Sequence, residues 1–150
     1  MTRLAAVAIH EGAHLVAALR HGVRVKSATI EGERPCVSLA DPRASLRDLQ
    51  SATAAAIALL AGPAADRRFV ANGLAAYRLD RVNDLTKAAK LASTMELVRG
   101  VRLDLDYAWR EAERVVSELA PLVMEAAAWL RGAGTLEGRM LDALATRVAA

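Results

Sequence analysis

At 150 residues, with 54% hydrophobic residues and a single cysteine, the chain is sized for one domain over 1–150 whose core forms without disulfides. Its net charge of +3 comes from arginines scattered among acidic residues, with no basic run interleaved by aromatics, so no nucleic-acid partner is expected. The most apolar stretch, "ATAAAIALLAGPAA", is shorter than the ~18–20 residues a membrane span requires and is broken by Gly62-Pro63, so no span is expected either.

Abundant Ala, Leu and Val with only 3% aromatic residues predicts a mainly α (α+β) fold, in which helices pack through small side chains. The apolar start of the chain runs directly into His10 and Glu11 with no cleavage-like site, which predicts no signal peptide. One cysteine, Cys36, fits a small strand residue and a reducing compartment, and the expectation is a soluble, cytoplasmic protein.

In chain order, Leu4, Val7, Ala8, Leu15, Ala18 and Leu19 keep helical spacing, predicting a helix over 2–20 that stops at His21-Gly22. "VRVKSATIEG" (23–32) and "PCVSLA" (35–40) read as β-like runs separated by "EGER", predicting a small hairpin. Ser45, with Asp48 three residues on, is the expected cap of an Ala-rich helix to about Ala61. A further turn or two is expected past Gly62-Pro63, with Gly73 as the end. "LAAYRLDR" (74–81) reads as a connection, followed by a helix from about Asn83 to Arg99. Residues 104–131 keep helical period, with Pro121 set to kink or split them. After "GAGT", Thr135 is the expected cap of a last helix to about Val148.

The chemistry lies in the first helix. His10 and His14 are four residues apart, hence one turn apart on one helix face, and Glu11 lies between them in an HExxH pattern. In that motif two neutral imidazoles coordinate Zn²⁺, and the glutamate is the general base toward the water that the metal activates. A catalytic zinc usually has three protein ligands, so the rest of the chain must supply one more.

Several residues compete for that place. His21 falls at a helix end and outside the extended HExxHxxGxxH spacing, where Arg20 stands, and reads as structural. Glu31 and Glu33 belong to a turn and face solvent. Asp66 has Arg67 and Arg68 as ready ion-pair neighbours. Asp84 is the preferred candidate, in the first turn of a helix whose other face is apolar, although an acid there is also favoured by the helix dipole.

The motifs together resemble a known family. "AIHEGAHLVAAL" resembles the HEAGH helix of the FtsH-type zinc metalloproteases, and "VRVKSATI" looks like the strand that follows it there. "LLAGPAADRRF" is similar to that family's "GGRxAEE" segment, "NDLTKAAKLAS" to its "NDxxxATxLA" helix, and "TLEG" to its "TLDG" signature. The resemblance spans nearly the whole chain and covers the peptidase domain alone. It implies a helical zincin-like fold with a small β-hairpin or sheet after the HExxH helix, zinc (one ion per chain) held by His10, His14 and Asp84, and Glu11 as catalytic base.

Asp66 then matches the first acid of "AEE" and belongs near the site as a supporting group, while Asn83 flanks the ligand. The motif departs from the family in reading HEGAH for HEAGH and in having Arg67 for the second acid. The resemblance also implies that "PCVSLA", with Val37, Ser38 and Leu39, offers a strand edge on which an extended peptide lies, against the alternative of a purely internal strand.

No GxxxxGK followed by Ser or Thr occurs, so no ATP is used by that route. The expectation is a stand-alone, ATP-independent zinc metalloendopeptidase acting on peptides or unfolded proteins, with a homo-oligomer left open. The alternatives are a zinc-binding or metal-free peptide- or protein-binding module on the same fold, and a helical interaction domain in which the motif is accidental.

Overall fold

The computed structural model describes residues 1–70 and 78–150. Helix α1 (Arg3–Arg20) begins where the Thr2 hydroxyl accepts from the Ala5 N–H at 3.1 Å. It ends at His21, where Gly22, at φ +73°, turns the chain and the Val23 N–H reaches back to the Ala18 carbonyl at 2.8 Å. Every residue from Ala8 to Ala18 is buried, so this helix is covered around most of its circumference and runs through the centre of the molecule. It packs against α2 (Leu49–Phe69) on one side and α5 (Ala120–Ala133) on another, with α6 (Gly138–Ala149) and the sheet completing its cover.

Gly12 marks the crossing with α5. A Cβ there would meet the Val123 carbonyl oxygen at 3.1 Å and the Ala127 nitrogen at 3.2 Å, so a bare Cα lets the two backbones approach. The HEGAH order of the motif thus places its glycine at a helix crossing. The core, with Leu15, Val16, Ala56, Ala112, Val123 and Leu130, lies among α1, α2, α4 (Leu105–Glu118) and α5.

The expected hairpin is present as β1 (Val25–Thr29) and β2 (Cys36–Leu39), antiparallel, with Val25 opposite Leu39 and Thr29 opposite Cys36. A third strand, β3 (Thr135–Glu137), pairs antiparallel with the other edge of β1, giving the order β2-β1-β3. Thr135 is therefore a strand residue and not a helix cap. Its hydroxyl bonds the Thr29 hydroxyl at 2.8 Å, and α6 starts three residues later at Gly138. A strand this short carries no periodicity of its own and is fixed by a partner more than a hundred positions away.

The start of α2 also differs from expectation. Pro42–Leu46 forms a 3-10 turn in which the Ser45 hydroxyl donates to the Pro42 carbonyl at 3.0 Å. Asp48 is the cap, accepting from the Ser51 N–H at 2.7 Å. The helix then continues through Pro63, although proline supplies no N–H to the carbonyl four residues back. Burial of the whole run from Leu60 to Asp66 offsets that loss.

Helix α3 (Arg78–Arg99) starts five residues before the expected Asn83, so 78–81 are helical and not a connection. Gly73 and 74–77 lie outside the described residues. Gly100, at φ +65°, follows α3. Pro121 accompanies a split: α4 ends at Glu118, and α5 opens with this proline in its first turn, where a missing N–H costs little. The described residues are thus mainly helical, with six α-helices and one small antiparallel sheet. No helix among them is long and apolar enough to cross a membrane.

Candidate metal centre

Three elements converge beside the middle of α1. His10 and His14 project from one face of α1 and stack edge to face, with ring centroids 4.6 Å apart. Asp84 comes from α3, as its seventh residue. That position is past the first turn, so attraction to the helix N-terminus does not account for the acid there. His10 Nε2 lies 2.8 Å from Asp84 Oδ2, His14 Nε2 lies 3.1 Å from the same oxygen, and the two Nε2 atoms are 3.0 Å apart. All three residues are buried, with His10 only 2% exposed.

The outer nitrogens explain how this triangle is held. His10 Nδ1 faces Asp66 Oδ2 at 2.8 Å, and His14 Nδ1 faces the Ala58 carbonyl at 2.7 Å, both from α2. A carboxylate and a peptide carbonyl only accept, so each Nδ1 carries a proton and donates it outward. Both Nε2 atoms therefore turn lone pairs inward, toward an anionic oxygen. Three electron-rich atoms at these separations need positive charge among them, supplied by a cation or by extra protons. The donor set fits a metal: the edges of 2.8, 3.0 and 3.1 Å lie a few tenths of an ångström below the ~3.3–3.4 Å expected between ligands of a tetrahedral ion bonded at ~2.0–2.1 Å. The buried His10, His14 and Asp84 group can hold a metal ion.

The electrostatics follow from the same contacts. Burial alone would push the His10 imidazole down, but its bonds to Asp66 and Asp84 prevail and raise it to about 10. His14 is likewise raised, with burial and the neighbouring His10 opposing and Asp84 prevailing. Asp84 would be raised by burial, yet the two imidazoles hold it well below the usual carboxylate range. All three shifts run in the direction that favours positive charge on the imidazoles beside a negative Asp84.

Glu11 is buried on α1 at 5% exposure, adjacent to this group. Asp66 is not paired with Arg67 or Arg68, as its neighbours in sequence suggest; it is buried against His10. Among the described residues its Oδ1 has no hydrogen-bond partner, while Arg68 lies over the Phe69 ring. Asn83 is exposed beside Asp84 in sequence. Val37, Ser38 and Leu39 are half-buried on β2, the outer strand of the sheet, whose ladder partner is β1. His21 caps the end of α1, and Glu31 and Glu33 are exposed, so none of these three joins the centre. Sequence reasoning missed the Ala58 carbonyl, because a backbone acceptor leaves no mark in residue type. No protein-family model and no curated protein sequence matches the chain.

Proposed function

We propose that the chain is a zinc metallopeptidase that hydrolyses peptide bonds in peptides or unfolded proteins without drawing on ATP. The observation that carries this reading is the meeting of His10 Nε2, His14 Nε2 and Asp84 Oδ2 within 3.1 Å beside a buried glutamate in the HExxH order. His10, His14 and Asp84 would hold one zinc ion per chain, the two-histidine, one-carboxylate set that leaves a position open. Bound there, zinc supplies a Lewis acid that makes water a stronger acid and stabilises charge on a carbonyl oxygen.

The chain's own residues supply the remainder. The Glu11 carboxylate takes a proton from the attacking water and returns it to the leaving amine. Asp66 and the Ala58 carbonyl keep both imidazoles turned with Nε2 inward. The outer edge of β2, at Val37, Ser38 and Leu39, offers backbone groups against which an extended substrate can pair. The resemblance to the FtsH-type peptidase domain supports the same assignment of residues.

Replacing Glu11 by Gln tests the reading. Hydrolysis of an unfolded protein such as casein should fall by ~10²–10⁴-fold, the contribution of a general base, while bound zinc stays at the wild-type level. Wild-type protein that binds zinc and hydrolyses nothing across a broad peptide library would favour the binding module instead.

A further inference from the structure

Helix α2 meets the metal centre along one stripe. Ala58, Gly62 and Asp66 are spaced by four, one turn apart, as are His10 and His14 on the facing helix. Ala58 anchors His14 through its carbonyl, and Asp66 anchors His10 through its carboxylate. Gly62, midway between these anchors, lies over the inward nitrogens. A methyl group on its Cα would stand 2.7 Å from His10 Nε2 and 2.6 Å from His14 Cε1, and closer still to His14 Nε2. Carbon needs roughly 3.5 Å from such neighbours. Neither ring can swing away without giving up the Nδ1 bond that fixes it.

Glycine is among the poorest helix formers, and this one is buried mid-helix at φ below zero, where its backbone freedom serves no turn. Its distinctive property at this position is the missing side chain. We propose that Gly62 is a positioning residue of the metal centre, whose bare Cα keeps open the space at both Nε2 atoms while its helix holds both Nδ1 atoms. The inference rests on the reading of His10, His14 and Asp84 as metal ligands. It adds a requirement that the ligand set alone does not state: alanine at 62 competes with the ion and with the ring positions that bind it.

The test compares wild type, Gly62→Ala and Gly12→Ala, each with cobalt(II) and with zinc in competition against a chelator of known affinity. Wild type should take up about one ion per chain and show the visible cobalt bands of a four- or five-coordinate site. Gly62→Ala should bind at least ~10–100-fold more weakly, the range for disturbing groups around a metal, with altered cobalt bands and unchanged far-ultraviolet dichroism. Gly12→Ala, which crowds α5 on another face of α1, should lower Tm yet keep wild-type affinity and spectrum.

All three closest contacts belong to the two imidazoles, so alanine at 62 should leave Tm unchanged or higher when introduced into a His10→Ala/His14→Ala double variant, where both rings are gone. That comparison holds even if Gly62→Ala alone does not fold. Gly62→Ala with wild-type affinity and spectrum would overturn the proposal and leave the metal centre standing. The proposal would fail equally if alanine at 62 lowered Tm as much in the His10→Ala/His14→Ala background as in wild type. Wild-type protein that takes up no metal would overturn the centre itself, and the role of Gly62 with it.

Discussion

His10 Nδ1 donates to Asp66 Oδ2 at 2.8 Å across the α1–α2 contact, tying the first histidine of the motif to an acid 56 positions away. The bond fixes which nitrogen of His10 faces inward. Asp84, by contrast, meets the inward nitrogens themselves. The two acids should therefore differ in what their loss does. Asp84→Ala should abolish stoichiometric zinc binding, whereas Asp66→Ala should weaken it by ~10–100-fold, as measured by competition with a chelator. Equal retention of zinc in Asp84→Ala and wild type would show that Asp84 is no ligand.

Protons and metal compete for the same nitrogens, which gives a pH dependence of definite sign. The His10 imidazole moves from 6.5 to about 10 on folding, so its contribution to metal-free stability is fully present below pH 6.5 and is lost as pH rises through about 10. Asp84 is depressed below its ordinary 3.8, so its contribution is present above that pH and is lost on acidification. The chelator-treated protein should thus lose Tm between pH 7 and pH 10, while the rise in Tm on adding zinc should grow over the same interval. Both trends are readable by thermal scans in matched buffers. A chelated protein whose Tm stays flat across that interval would contradict the proton-held triangle.

The start of α2 offers a test away from the chemistry. Asp48 accepts from the Ser51 N–H, whereas Ser45 bonds within the preceding 3-10 turn. Asp48→Ala should lower the urea midpoint of unfolding, and Ser45→Ala should lower it measurably less. The reverse order would return the cap to Ser45.

What can be read from the sequence divides along a physical line. The histidine pair is legible because helical geometry alone places residues four apart on one face, and α1 runs from Arg3 to Arg20, close to the expected 2–20. The β1–β2 hairpin is legible for the same local reason. Asp84 stands out among the acids, yet the geometry that brings it to the imidazoles depends on how α3 packs, and α3 begins at Arg78, which moves this acid out of the expected first turn. Asp66 resembles a partner for the adjacent arginines because sequence shows neighbours along the chain and not across a helix contact. Thr135 carries an acceptable cap signature, but β1 offers its edge and the hydroxyl goes to Thr29. Pro63 has the signature of a break, and tertiary burial of its surroundings overrides it.

Elemental analysis of protein purified without chelators or metal-affinity resin tests most directly whether His10, His14 and Asp84 hold a zinc ion. About one zinc per chain in wild type, lost in His14→Ala, is the predicted result. Absence of zinc from wild type even after the ion is added back at micromolar concentration would contradict it.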